Sequence, residues 1–245
     1  MPREYPLQVE AWDEIPGLVH GFLGRAHGLS PGPFGMDDVR DALTRAGEVP
    51  ASIAAALQVH GTTVLAPEAL PPADDLPEGD AWVTALAGVL LTIRTADCVP
   101  ILLVAPRARA VAAVHAGWRG TLDGVIEAAI AALIARYDAL PGELSAAIGP
   151  AIGGCCYAFG TEHYETFVSR FGVSVEKAWR REATEAARSY LDLRAVCRLA
   201  LERARVERTA IHELGPCTAD HPDELHSFRR DGTHAGRQLS YIGWR

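Results

Sequence analysis

Residues 89–115 read VLLTIRTADCVPILLVAPRARAVAAVH. Three β-rich runs, 89–95, 101–105 and 110–115, are separated by two short turn-prone links, Asp97-Cys98-Val-Pro100 and Pro106-Arg-Ala-Arg109. Short links between successive strands favour an antiparallel meander, because parallel neighbours need a long crossover. In a meander the first and third strands run the same way. Cys98 lies just past the first and His115 at the end of the third, so both should emerge at one edge of a sheet.

Working outward, residues 56–59 form another short apolar run leading into Gln58-Val-His60-Gly61. His60 can join the other two there, although nothing local ties it to them. Downstream, Leu122, Val125, Ile126, Ala129, Ile130, Leu133, Ile134 and Tyr137 repeat at helical spacing. Thr121 is a reasonable N-cap for that helix, and Gly117-Trp-Arg-Gly120 reads as a turn leading into it. Strands are further expected at 18–23, 144–148 and 209–214. Helices are expected at 37–46, 161–171 and 192–205, the last capped by Asp192. Residues 66–79, rich in Pro, Asp and Glu, read as a surface loop. There is no internal repeat. Strands and helices mix without strict βαβ alternation, so the expected class is α+β or a mixed-sheet sandwich.

The bulk numbers narrow the function. A chain of 245 residues, 49% apolar and 22% charged, is that of an ordinary globular protein. Its net charge of −8 gives no footprint for nucleic acid or an anionic membrane surface. An anionic substrate would therefore need a local basic pocket. Neither a signal peptide nor a membrane span is evident. Five cysteines are an odd number and do not suggest a disulfide framework, so the expected compartment is the reducing cytoplasm.

The chemistry centres on His60, Cys98 and His115. Two imidazoles and one thiolate make a zinc site with three protein ligands. A fourth position is left open, as in catalytic rather than structural zinc. Zinc lowers the pKa of a coordinated water to about 7. Asp97, next to the thiol, can serve as a positioning partner or a proton shuttle, or simply as a turn residue. Arg119, at a helix start, suits phosphate or carboxylate, and Trp118 suits a flat ring. Arg229 and Arg230 are pocket candidates if one of them faces inward; the plainer reading is solvated charge. Cys155 and Cys156 are adjacent, as in a redox pair, but read more simply as turn residues. His221 and His226, near Cys217, are spaced too irregularly to define a metal site.

The motifs Gln58-Val-His60-Gly61, Thr95-Ala-Asp-Cys98-Val-Pro100, Val114-His115-Ala-Gly-Trp-Arg-Gly120, Ile148-Gly-Pro-Ala-Ile-Gly-Gly-Cys-Cys156-Tyr157 and Phe228-Arg-Arg-Asp-Gly232 occur in order. Together they resemble the purine nucleoside phosphorylase / laccase-domain family, whose older label is multicopper polyphenol oxidase. The resemblance implies one domain over residues 1–245, a two-sheet α/β/β/α sandwich, with zinc on His60, Cys98 and His115. The activities it implies are phosphorolysis of adenosine, inosine, guanosine and methylthioadenosine, and deamination of adenosine. The implied partners are a purine nucleoside and phosphate. The segment before Asp37 is shorter than the family's. Val39-Arg40 stands in place of an Asn-Arg pair, which makes Arg40 a substrate-binding candidate.

Two other chemistries compete. Some bacterial members of the family are assigned to peptidoglycan editing, and Cys98 with a histidine base would suit amide cleavage without metal. Two His and one Cys are also a copper ligand set, Cu2+ being the alternative ion. True laccase chemistry, however, needs a copper cluster rich in His-x-His pairs. The chain has none, and Met1 and Met36 offer little as axial ligands.

Overall fold

The computed structural model describes residues 3–32, 34–67, 76–181 and 189–245. Its strands are β1 (Leu18–Phe22), β2 (Ser52–Ala54), β3 (Val64–Leu65), β4 (Ala81–Thr84), β5 (Val89–Thr95), β6 (Val99–Ala105) and β7 (Ala110–Ala116). They continue as β8 (Ser145–Ile148), β9 (Ala158–Phe159), β10 (Trp179–Arg181), β11 (Ser189–Leu191), β12 (Ile211–Glu213) and β13 (Gln238–Trp244). The helices are α1 (Met36–Arg45), α2 (Trp118–Asp123), α3 (Val125–Tyr137), α4 (Tyr164–Phe171), α5 (Leu193–Arg203) and α6 (Phe228–Asp231).

Two mixed sheets carry the fold, one ordered β1-β13-β5-β2 and the other β12-β8-β6-β7-β4-β3. The period-2 alternation of each strand sorts its side chains between layers. Leu91 and Ile93 of β5 meet Leu102, Val104, Val111 and Ala113 between the sheets. Leu90 of β5, with Leu239 and Tyr241, faces Val39, Ala42 and Leu43 of α1. Ile101, Leu103, Ala112 and Val114 pack on the other side against Ile126, Ile130 and Leu133 of α3 and Val196 and Ala200 of α5. The layers are therefore α/β/β/α, and the mixed α+β class with a two-sheet sandwich agrees with expectation. A small third sheet, β10-β11-β9, was not anticipated.

The single meander is corrected. β6 and β7 pair antiparallel over seven residues, but β5 belongs to the other sheet, between β13 and β2. The link from Thr95 to Val99 crosses from one sheet to the other. Cys98 and His115 still converge, for a different reason. Antiparallel pairing sets the start of β6 beside the end of β7, in the register Pro100↔His115 and Val99↔Ala116.

The long helix is also corrected. Gly117-Trp-Arg-Gly120 is the start of α2 rather than a turn before it, with Gly117 at the N-cap. Gly124, at φ +97°, ends α2 and starts α3. That left-handed conformation suits glycine. Thr121 sits buried inside α2 instead of capping a helix. Asp192 does cap α5, its side chain accepting from the Ala195 N–H at 3.1 Å, a contact worth about 1 kcal/mol. Residues 56–59 are not a strand; Leu57 makes only an isolated bridge with Glu78. Much of the expected loop at 66–79 falls outside the described residues. Among the described residues, no helix is long and apolar enough to cross a membrane.

Candidate metal centre and its cleft

His60, Cys98 and His115 come from three different segments of the sandwich, two links and one strand. His60 sits after β2 with φ at +62°, Cys98 immediately precedes β6, and His115 is in β7. One ligand atom from each lies within 4.8 Å of the others. Cys98 Sγ is 3.8 Å from His60 Nε2, and the two imidazole centroids are 4.8 Å apart with planes at 76°. This group can hold a metal ion.

Asp80, which the sequence reading did not single out, organises the cluster. Its carboxylate accepts from His115 Nδ1 at 2.7 Å and from the backbone N–H groups of His60 at 2.9 Å and Gly61 at 2.7 Å. His115 is thereby fixed with Nε2 free to face the cluster, the orientation a carboxylate gives to a histidine that can ligate a metal. Burial would push the Asp80 carboxyl up; the His115 and backbone donors outweigh it and hold the group below the usual carboxylate range. Burial likewise opposes ionisation of Cys98, but hydrogen bonds with His115 and His60 bring the thiol down to about 6. His115 moves the other way: burial would lower it, and Asp80 and Cys98 raise it to about 9. Both shifts favour the thiolate–imidazolium form of the pair. A thiolate is the form that binds metal or attacks as a nucleophile.

The cluster opens onto a cleft of about 600 Å³. Phe34, Trp118, Tyr157 and Phe228 line it, and so do Arg94, Arg119, Arg229 and Arg237. Several cations are held flat by rings: Arg94 Cζ is 3.2 Å from the Phe34 centroid, Arg119 4.5 Å from that of Trp118 and Arg229 5.0 Å from that of Tyr157. This is the local basic pocket that an acidic chain needs for an anionic ligand.

Of the sequence candidates, Trp118, Arg119, Arg229 and Asp97 all reach the cleft. Asp97 is buried with both carboxylate oxygens engaged, accepting from Thr218 Oγ1 at 2.5 Å and from the Arg229 N–H at 2.6 Å. Arg230 turns away from the cleft: it donates to the carbonyls of Thr218, Ala219 and Leu225 and pairs with Asp231. Arg40 is exposed on α1 and does not line the cleft. His226 is buried and neutral, since burial lowers it to about 4. His221 Nδ1 is 3.1 Å from the Cys217 carbonyl oxygen. Arg94, Arg237, Phe34 and Tyr157 were missed. Arg94 alone carried a local signal, a charge inside an otherwise apolar strand.

Fold and site define a mixed α/β sandwich with a Cys/His cluster, able to hold a metal, at the mouth of a basic, aromatic cleft. The chain belongs to the multi-copper polyphenol oxidoreductase laccase family, whose model matches residues 19–245. It is 35% identical over 240 residues to a purine nucleoside phosphorylase of Deinococcus radiodurans, covering 92% of this chain and 89% of that one. It is 37% identical over 163 residues to adenosine deaminase RL5 from an unknown prokaryotic organism, covering 66% of this chain and 61% of that one. The crystal structure of YlmD from Geobacillus stearothermophilus superposes with a TM-score of 0.80 at 31% identity, over 94% of this chain and 93% of that one.

Proposed function

We propose that this chain is a zinc-dependent purine nucleoside phosphorylase, acting on adenosine, inosine, guanosine and methylthioadenosine, that also deaminates adenosine. The observation that carries the reading is the convergence of His60, Cys98 and His115 at a cleft lined by both arginines and aromatic rings. The names of the relatives point the same way.

One thiolate and two imidazoles fit zinc, and they also match copper by ligand type. A laccase cluster would need more histidines than this group offers, which favours zinc. When bound, zinc supplies Lewis-acid chemistry at a position the protein leaves open. The chain's own residues do the rest. Arg119, Arg229, Arg94 and Arg237 supply positive charge for a phosphate dianion. Trp118, Tyr157, Phe34 and Phe228 offer faces for a purine. In phosphorolysis a phosphate oxygen bonds to C1′ as the glycosidic bond breaks and the purine leaves with the bonding pair. In deamination water adds at C6 and ammonia departs. Asp97, with both oxygens engaged, is a positioning residue that holds the Arg229 segment against the cleft. A cleft of this volume is of ordinary size for a small-molecule site. We place the protein in the cytoplasm, where its five free cysteines stay reduced.

The test is product analysis with adenosine and phosphate, alongside metal content. Free adenine and ribose 1-phosphate are expected in phosphate, and inosine without it. Cys98→Ala should abolish turnover and zinc binding at the His60, Cys98 and His115 group while circular dichroism stays native; a fully active Cys98→Ala protein overturns the reading. One observation favours a second reading: the lowered Cys98 thiol beside His60 is also a nucleophile–base pair. In that case peptidoglycan-precursor amides would be cleaved by metal-free protein, and chelation would leave activity unchanged.

A further inference from the structure

We propose that Cys155, Cys156, Cys217 and Asp220 form a second, closed zinc site that staples together two loops of the cleft wall. These residues lie outside the His60, Cys98 and His115 group and take no part in the chemistry described above. Cys155 and Cys156 sit in the loop after β8. Cys217 and Asp220 sit in the segment after β12. The two segments already touch through a parallel bridge between Ala151 and Cys217, with the Thr218 N–H donating to the Ala151 carbonyl at 3.1 Å.

The donor atoms of all four side chains lie within 4.8 Å of one another. Cys155 Sγ donates to Asp220 Oδ2 at 3.1 Å, and Cys156 Sγ to Oδ1 at 2.9 Å. Cys217 Sγ accepts the Gly153 N–H at 3.2 Å. Zn–S bonds of about 2.3 Å put tetrahedral donors roughly 3.8 Å apart, so the four groups close around an ion with small side-chain adjustments. Gly153 backs the site tightly: a Cβ there would lie 3.2 Å from Cys155 Sγ and 3.6 Å from Cys217 Sγ.

The donor set decides ion and role. Three thiolates select a soft or borderline metal over magnesium or calcium. Four protein ligands leave no open position, which marks a structural site, whereas the His60 cluster has three ligands and faces a cleft. Cys217-Thr-Ala-Asp220 has the two-residue gap common between paired zinc ligands. A redox pair fits less well, because both vicinal thiols are directed at one carboxylate. Binding releases the thiol protons to solvent and leaves excess negative charge. Lys177, Arg180 and Arg194, on the rim of the adjoining pocket with Cys155 and Cys217, offset it.

The position gives the staple a purpose. Tyr157, which lines the cleft, follows Cys156 directly. Thr218 follows Cys217 and donates to Asp97, which in turn accepts the Arg229 N–H. An ion here fixes both segments relative to each other, and with them one wall of the cleft.

The test uses full-length protein kept under a non-thiol reductant. Wild type should hold two zinc ions per chain by elemental analysis, and Cys98→Ala and Cys155→Ser one each. Metal-stripped Cys98→Ala titrated with cobalt should take up one equivalent with thiolate-to-cobalt charge transfer in the near ultraviolet. Adding Cys156→Ser should remove or sharply reduce that band. Absence of the band in folded Cys98→Ala overturns the proposal. So does equal zinc content in wild type and Cys155→Ser, a comparison that holds even if Cys98→Ala misfolds, because Cys155 is exposed.

Discussion

Asp80 and His115 are joined twice. His115 Nδ1 donates to the Asp80 carboxylate at 2.7 Å, and the His115 backbone N–H donates to the Asp80 carbonyl at 2.7 Å. The second bond follows from strand pairing, because β4 and β7 run antiparallel with Ala81 opposite Val114. The first puts a fully buried carboxylate behind the imidazole and, through the His60 and Gly61 amides, behind the second histidine as well. One side chain thus sets the orientation of two of the three candidate metal ligands.

Asp80→Asn keeps the size of the side chain and removes its charge. The carboxamide is a weaker acceptor for the imidazole and offers an N–H where an oxygen accepted the loop amides. Zinc affinity, read by competition with a chromogenic chelator, should fall about 10–100-fold. Asp80→Ala leaves buried donors unmatched and should also lose about 1–3 kcal/mol of stability. Unchanged zinc affinity in Asp80→Asn would show that the carboxylate does not organise the site.

Gly117 provides a steric probe of the same centre. Its backbone conformation, φ −76°, is open to any residue. A Cβ there would lie 2.7 Å from His60 Cδ2 and 3.4 Å from Cys98 Sγ. Gly117→Ala should therefore displace the exposed His60 ring and weaken metal binding at least tenfold. Its stability cost should stay near that of a poorer N-cap, about 1 kcal/mol. Thermal melting and zinc titration separate the two effects. A large loss of melting temperature with intact zinc affinity would contradict this geometry.

These two residues also show what the sequence revealed and what it hid. His60, Cys98 and His115 could be picked out because each sits in a short motif of a recognisable series. Asp80 could not, since its role exists only once β4 lies beside β7, and Gly79-Asp80 reads as any polar residue before a strand. The strand character of 89–95 was plain, but its sheet was not. β5 buries residues on both faces, with Leu91 and Ile93 between the sheets and Leu90 against α1, and nothing local distinguishes that from a meander strand. The apolar period from Leu122 to Tyr137 marked a helix correctly. The break at Gly124 passed unnoticed because periodicity carries no information on φ.

Acid should weaken the fold through His20. It is buried, and its Nε2 accepts the Val9 N–H at 2.8 Å, which requires the neutral ring. Burial lowers its pKa to about 4, with Asp13 opposing weakly. Between about pH 6.5 and 4 the unfolded chain binds a proton that the native chain refuses, so stability rises with pH across that window and is lost as pH falls. At pH 5 this group alone should cost about 2 kcal/mol relative to pH 7. His226, also lowered to about 4 by burial, acts in the same direction. Urea denaturation at both pH values should show the loss, and His20→Gln should shrink it by roughly half. An equal pH dependence in His20→Gln would remove His20 from the account.

Arg94 should govern anion binding from the floor of the cleft. It lies on β5, where Gln58 brackets its backbone: Oε1 accepts the Arg94 N–H at 2.9 Å, and Nε2 donates to the Arg94 carbonyl at 2.8 Å. Its guanidinium donates to the Ala56 carbonyl at 3.0 Å and stacks on Phe34. Burial, with Arg237 nearby, lowers its pKa to about 10, which still leaves it charged at neutral pH. A charge held this rigidly loses little entropy on meeting phosphate. A hydrogen bond to a charged group is worth about 1.5–3 kcal/mol, so Arg94→Gln should raise KM for phosphate about 10–100-fold. Arg94→Lys restores the charge but neither the planar fork nor the stack, and should recover only part of the loss. Initial rates with phosphate varied at saturating nucleoside provide the measurement. A wild-type KM in Arg94→Gln would move the anion site to the Arg119 and Arg229 side of the cleft.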